Sequence, residues 1–167
     1  MSHREGDSWT AHVPHEAAME ELGARFARAA KPPCVFLLEG ELGAGKTTFV
    51  RGFVGALTKG TKGAEEEDHR ITVQSPTYAL ARSYPTTPTT HHLDLYRLQQ
   101  SNFDAYNLED LGLWDLLEDP TALVLVEWPR ALKIPPVIPQ ICLSIMVQGD
   151  ARVVVVAGAD EDAKVKR

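Results

Sequence analysis

The segment Gly40-Glu41-Leu42-Gly43-Ala44-Gly45-Lys46-Thr47 constrains the fold more than any other feature, because it matches the phosphate-loop pattern GxxxxGK[ST]. The apolar run 34–38 before it predicts a buried strand, and the spacing over 46–57 predicts a helix. A strand, a glycine-containing loop and a helix in this order are the context that the pattern requires. The sequence therefore predicts a domain that binds the phosphates of a nucleotide. The alternative is a glycine-rich turn that caps a helix, with Lys46 in solvent.

The chemistry of the motif assigns roles to its side chains. Glycines let successive backbone N–H groups approach phosphate oxygens, and the positive end of the helix dipole adds to the attraction. Lys46 is expected to reach the β and γ phosphates, the Thr47 hydroxyl to bind Mg²⁺, and Thr48 to contact the α phosphate. We predict a nucleoside triphosphate and Mg²⁺ as cofactors, with the nucleotide held by Glu41, Leu42, Gly43, Ala44, Gly45, Lys46, Thr47, Thr48 and Trp128; the resemblance described below implies that the nucleotide is ATP.

Two acidic residues complete the predicted site. Glu127 follows the apolar run 123–126, so it lies where phosphate-loop proteins place a carboxylate that holds the metal. Asp94 lies in a run of strand character, 91–98, in which alternation points it away from Leu93 and Leu95. We predict Thr47 and Glu127 as metal ligands and Lys46, Asp94 and Glu127 as catalytic residues, with Asp94 orienting the attacking water or supporting the metal. A surface glutamate at a strand end is the alternative for Glu127.

Neighbouring polar residues receive weaker assignments. Alternation places His91 and His92 on opposite faces of their strand, so we expect them to share no metal and to be solvated or satisfied in the core. Arg97 and Arg130 could stabilise phosphate charge, but arginines at strand ends are usually solvated or salt-bridged. The segment 75–78, Ser-Pro-Thr-Tyr, could form a nucleotide-sensing switch or a plain turn.

The 167 residues predict one domain. An amphipathic helix is expected over 14–31, and adjacent strands without helices between them, such as 141–147 and 153–157, make the sheet mixed. We therefore predict an α/β fold: a single phosphate-loop NTPase-like domain over 1–159, whose mixed parallel and antiparallel sheet carries helices on both faces. Residues 58–70 are expected to form a mobile loop and 160–167 a charged tail.

Composition excludes several functional classes. No apolar run approaches the roughly 20 residues that span a bilayer, so we expect no membrane contact and a cytoplasmic protein. The net charge of −6 argues against a nucleic-acid-binding surface that covers the whole protein. A modest basic patch of Arg25, Arg28 and Lys31 stays open. Cys34 and Cys142 form no metal-binding or disulfide pattern, and both are expected to be buried.

The sequence has no NKxD or DxxG segment of a Ras-like GTPase and no LSGGQ-like segment of an ABC ATPase. It has four motifs in order: the phosphate loop through Thr48, Ser-Pro-Thr-Tyr at 75–78, His-Leu-Asp-Leu-Tyr-Arg at 92–97, and Leu-Val-Glu-Trp-Pro at 125–129. Over about residues 15–130 this set resembles the bacterial TsaE (YjeE) family, the small ATPases of tRNA threonylcarbamoyladenosine synthesis.

The resemblance implies an ATPase that is weak alone and works with TsaB and TsaD subunits in modifying adenosine 37 of tRNA, contacting tRNA indirectly or weakly. It also implies that Asp94 and Trp128 are important for turnover. The N-terminal helix carries Ala18-Met19 where the family is expected to have a threonine, so no adenine contact is transferred. Two other functions stay open: a small-molecule or nucleoside kinase, and a nucleotide-gated binding subunit without essential turnover.

Overall fold

The computed structural model of this chain describes residues 8–58, 73–74, 80–100 and 111–158. Within these ranges one seven-stranded sheet carries helices on its two faces. The strands are β1 (Trp9–Val13), β2 (Cys34–Gly40), β3 (Ala81–Tyr84), β4 (Thr90–Asp94), β5 (Leu123–Glu127), β6 (Gln140–Gln148) and β7 (Ala151–Ala157). The helices are α1 (Glu16–Ala29), α2 (Lys46–Thr58), α3 (Tyr96–Gln100) and α4 (Leu113–Leu117), with a 3₁₀ turn at Pro129–Ala131.

The sheet is mixed, as predicted. Its strand order is β1-β7-β6-β2-β5-β4-β3, in which β6, β2, β5 and β4 form a parallel centre. The outer pairs β1–β7, β7–β6 and β4–β3 are antiparallel. The carboxyl ends of the parallel strands meet at one edge, which is where ligands bind in open α/β sheets.

Each face of the sheet has its own apolar core. On one face Phe36, Leu125 and Leu143 pack with α1 and α2, whose Phe26, Phe49 and Phe53 are almost fully buried. On the other face Val35, Val124 and Val126 pack with Leu95, Leu98 and Leu113 from the region of α3 and α4. The alternation along β2 and β5 explains this division, because successive side chains of a strand point to opposite faces.

The structure differs from the sequence-based expectation along the run 91–98. The strand ends at Asp94 and the helix α3 begins at Tyr96. The Asp94 carboxylate accepts a hydrogen bond from the Tyr96 backbone N–H at 3.0 Å, a local turn that competes with continuation of the strand. The prediction of a strand through 98 is therefore wrong, whereas the expected separation of Leu93 and Leu95 from Asp94 is confirmed.

The described residues before the first helix form a strand that the sequence analysis does not predict. Trp9–Val13 forms an edge strand that pairs with β7, so His12 lies in the sheet. His15 begins α1, and its Nδ1 accepts a hydrogen bond from the Ala18 backbone N–H at 3.1 Å. Cys34 is buried as expected, but Cys142 is only half-buried.

Several expectations fall on residues outside the described ranges. They concern the expected loop 58–70, the segment 75–78 and the tail 160–167. Of the expected loop only Thr58 is described, and it is the last residue of α2. Between residues 58 and 80 only Val73 and Gln74 are described, and they adopt no regular secondary structure. None of the helices in the described part of the chain is both long and apolar enough to span a membrane.

Candidate nucleotide site

The phosphate loop connects β2 to α2 with a backbone that requires glycine. Gly43 has φ +77° and Gly45 has φ +111°, and residues that carry a side chain rarely adopt these backbone angles. Ala44 between them is fully buried, and its N–H donates to the Glu41 carbonyl at 3.1 Å. The loop therefore makes a tight turn that ends at the N-terminus of a 13-residue helix, where N–H groups are available to an anion.

Lys46 is buried beneath this loop, with 3% of its surface exposed. Its ammonium donates to the carbonyl oxygens of Gly40 and Glu41, both at 2.8 Å. Burial lowers the pKa of Lys46 below its usual 10.5, while the nearby charges of Glu127 and Asp94 act in the opposite direction. The loop thus holds a cation in place beside two carboxylates.

The two carboxylates come from neighbouring parallel strands. Asp94 and Glu127 are register partners at the carboxyl ends of β4 and β5, and both are buried. Oε1 of Glu127 accepts a hydrogen bond from the Thr47 hydroxyl at 2.8 Å. Topology therefore brings a strand-end carboxylate to the first turn of the helix that follows the loop, across 80 residues of sequence.

The ring of Trp128 packs against the ammonium of Lys46. Its ring centroid lies 3.8 Å from Nζ of Lys46, within the range of a cation–π contact, and the Tyr96 ring packs against it at 4.9 Å. Its backbone lies in the left-handed region, with φ 60°, which is strained for a residue with a side chain. Such strain is typical of functional sites, where the surroundings enforce an unfavourable backbone.

These residues surround one open cavity of about 330 Å³. Its lining contains most of the predicted site: Leu42, Gly43, Gly45, Lys46, Thr47, Thr48, Asp94, Tyr96, Glu127 and Trp128. Of the predicted phosphate-loop residues, Glu41 and Ala44 do not line it, and neither do Arg97 and Arg130. The structure brings the predicted residues together, and their roles stay predictions.

The donor set fits Mg²⁺. A hydroxyl at Thr47 and carboxylates at Glu127 and Asp94 are hard oxygen donors, and Mg²⁺ is commonly held by one or two carboxylates together with substrate phosphates and water. The described residues contain no cluster of three or more His, Cys, Asp or Glu that could hold a metal ion alone. The site therefore suits a metal that arrives with a phosphate ligand.

Sequence reasoning missed two residues near this site. His92 is fully buried, and its Nε2 lies 2.9 Å from Glu127 Oε1. Arg152 of β7 donates from Nε to the carbonyl of Ala44 at 3.3 Å, beside a second cavity of about 250 Å³ on the other side of the loop. The spacing of His92 two residues before Asp94 was a usable signal for the first, whereas β7 carries no local signal for the second.

Comparison with known proteins identifies related sequences. A family model described as "Threonylcarbamoyl adenosine biosynthesis protein TsaE" matches residues 13–154. The chain is 40% identical over 113 residues to the tRNA threonylcarbamoyladenosine biosynthesis protein TsaE of Streptomyces coelicolor. The matched region covers 66% of this chain and 66% of the relative, just under two thirds of each. It is 35% identical over 142 residues to the protein of that name from Bacillus subtilis, covering 84% of this chain and 76% of the relative.

A solved structure supports the fold independently. The crystal structure of YdiB from Bacillus subtilis matches 98% of this chain and 94% of its own, with a TM-score of 0.70 and 22% sequence identity. At this identity the match shows the architecture, which agrees with the predicted α/β fold and its mixed sheet.

Proposed function

Since this chain belongs to the TsaE family, we propose that it is an ATP-binding and ATP-hydrolysing accessory subunit in the synthesis of threonylcarbamoyladenosine at position 37 of tRNA. One observation carries the proposal of ATPase activity. A buried lysine, a helix N-terminus and two strand-end carboxylates converge on a single open cavity. This arrangement suits a triphosphate and its Mg²⁺ better than it suits an uncharged ligand.

Each side chain of the site has a separate proposed role in ATP hydrolysis. Lys46 and the loop N–H groups would bind the β and γ phosphates, and the Lys46 ammonium is already oriented by the carbonyls of Gly40 and Glu41. Thr47 and Glu127 would hold Mg²⁺, which when bound neutralises charge that develops on the phosphate oxygens. Asp94 would orient the water that attacks the γ phosphorus as the bond to the ADP oxygen breaks, and would accept its proton.

We propose TsaB and TsaD subunits as the partners, and the cytoplasm as the place where they act. Contact with tRNA is proposed to be indirect. The chain carries a net charge of −6, and Arg28 of the candidate basic patch already pairs with Glu21 at 2.6 Å. That ion pair lowers the positive charge that the patch can offer to a phosphate backbone.

The first experiment measures ATP binding by calorimetry in the presence of Mg²⁺. Lys46→Ala removes charge-assisted hydrogen bonds worth about 1.5–3 kcal/mol, so ATP affinity should fall by about 10- to 100-fold. Lys133→Ala, which removes an exposed lysine that does not line the cavity, is the matched control and should leave affinity unchanged. Equal ATP affinity for Lys46→Ala and the unaltered chain would contradict the proposal.

The second experiment measures phosphate release with and without the two partner subunits. We expect slow hydrolysis alone and stimulation by the partners, and no stimulation counts against the ATPase assignment. Stoichiometric phosphate transfer to an added acceptor would instead indicate a kinase. If Glu127→Gln binds ATP, assembles with the partners and supports tRNA modification through many turnovers, a nucleotide-gated binding role replaces hydrolysis.

A further inference from the structure

His92 lies beneath the candidate site and outside every role assigned so far. In β4 it is the register partner of Leu125, so its side chain lies on the same sheet face as Glu127, two residues further along β5. The imidazole is fully buried, and its ring packs against Tyr84 with centroids 6.5 Å apart. Its Nε2 reaches Oε1 of Glu127 at 2.9 Å.

The partners of the imidazole determine where its proton lies. A carboxylate oxygen only accepts hydrogen bonds, so Nε2 must donate to Glu127. The other ring nitrogen, Nδ1, is buried and has no hydrogen-bond partner among the described residues. A proton on Nδ1 would leave a buried donor unpaired. The geometry therefore favours hydrogen on Nε2 over hydrogen on Nδ1 alone.

Glu127 consequently receives two donors on one oxygen. The Thr47 hydroxyl donates to Oε1 at 2.8 Å from the helix side, and His92 donates to the same atom from inside the sheet. Two hydrogen bonds to one oxygen fix the rotation of the carboxylate, and Oε2 is the oxygen that neither donor engages. A carboxylate held in this way is orientated before any metal arrives.

Within the described part of the chain Nδ1 has no hydrogen-bond partner, so packing alone does not account for an imidazole at this position. An apolar ring of similar size would fill the same space without burying an unpaired nitrogen, which costs about 1–3 kcal/mol. A histidine at this position is therefore better explained by the hydrogen bond that its Nε2 makes than by packing.

We propose that His92 is a positioning residue that orients Glu127 for Mg²⁺. The inference rests on the proposed function of the site, because it needs a metal bound together with a nucleotide. His92 itself touches neither ligand and acts through the carboxylate. Partners of this kind typically change metal affinity or activity by about 10- to 100-fold when they are removed.

The test titrates Mg²⁺ into the protein saturated with ADP and follows metal binding by calorimetry. His92→Phe keeps a buried ring and removes the donor, so Mg²⁺ affinity should fall by about 10- to 100-fold. ADP affinity measured in EDTA should stay unchanged. His92→Gln, whose amide N–H₂ can reach towards Oε1, should restore most of the Mg²⁺ affinity. In a Glu127→Gln background, His92→Phe should add no further loss, because both changes remove the same interaction.

The outcomes separate the two proposals. If the unaltered chain binds no nucleotide, the proposed function fails. If it binds Mg²⁺ and ADP but His92→Phe matches it, or if His92→Gln is as impaired as His92→Phe, only the positioning role is overturned. Should His92→Phe fail to fold, the ¹⁵N shifts of His92 in the unaltered chain decide. Hydrogen on Nε2 supports the role, and hydrogen on Nδ1 alone overturns it.

Discussion

Gly52 in α2 lies directly against the backbone of α1. A Cβ built on Gly52 would lie 1.9 Å from the carbonyl oxygen of Glu20 and 2.5 Å from its Cα and carbonyl carbon. All three atoms belong to the backbone, so no side chain can turn away to make room. We therefore expect Gly52→Ala to destabilise the protein even though alanine favours helix formation.

The magnitude follows from the distance. The helices would have to separate by about 1.5 Å for the new methyl group to reach the 3.4 Å of ordinary contact. Overpacking of this kind costs about 1–3 kcal/mol and occasionally more, while the helix propensity of alanine returns about 1 kcal/mol. The clash involves rigid backbone, so the cost should reach the upper end of this range, and we expect a net loss of about 2 kcal/mol.

Gly55 provides the matched control in the same helix. Its Cβ would have no neighbour within 4 Å, so Gly55→Ala gains helix propensity without a clash and should stabilise the protein by about 0.5–1 kcal/mol. Urea unfolding followed by circular dichroism measures both changes. A Gly52→Ala protein that is as stable as the unaltered chain would refute the close helix contact described here. Because α2 begins at Lys46, the same variant should also bind ATP more weakly.

Two further predictions concern charged residues. Burial lowers the pKa of Lys46, so the unfolded chain binds this proton more tightly than the folded protein does. The free energy of unfolding, relative to that of Lys46→Met, should therefore rise with pH between the lowered pKa and 10.5. Thermal unfolding of both proteins across that pH range measures the difference, and a difference that does not change with pH would contradict the prediction. Arg51 donates to Glu16 and Glu20 at 2.9 Å, but all three side chains are exposed. Arg51→Ala should therefore lower the free energy of unfolding by less than about 1 kcal/mol, and most of this effect should disappear in 1 M salt. A large loss of stability in urea unfolding that does not depend on salt would contradict this prediction.

The sequence predicts the centre of this fold well because the signals there are local. The phosphate loop, the strand before it and the helix after it lie within 25 residues, and the apolar run that ends at Glu127 is recognisable by itself. The edge strand β1 is different. Its five residues alternate between apolar and polar types, but the run is short, and its partner β7 lies about 140 residues away. The pattern of each segment favours a strand, but neither pattern identifies the other segment as its partner.

The neighbourhood of Glu127 required the strand order, which sequence patterns do not supply. Only when β4 lies beside β5 do Asp94 and Glu127 become register partners. Alternation along β4 nevertheless predicts one of the residues near Glu127. Residues i and i+2 share a face, so an Asp94 directed towards the site implies that His92 lies on the same face, one step deeper in the sheet. A deep position next to a carboxylate favours a hydrogen-bond donor, because a buried carboxylate oxygen without a donor costs free energy. The imidazole of His92 supplies that donor to Glu127.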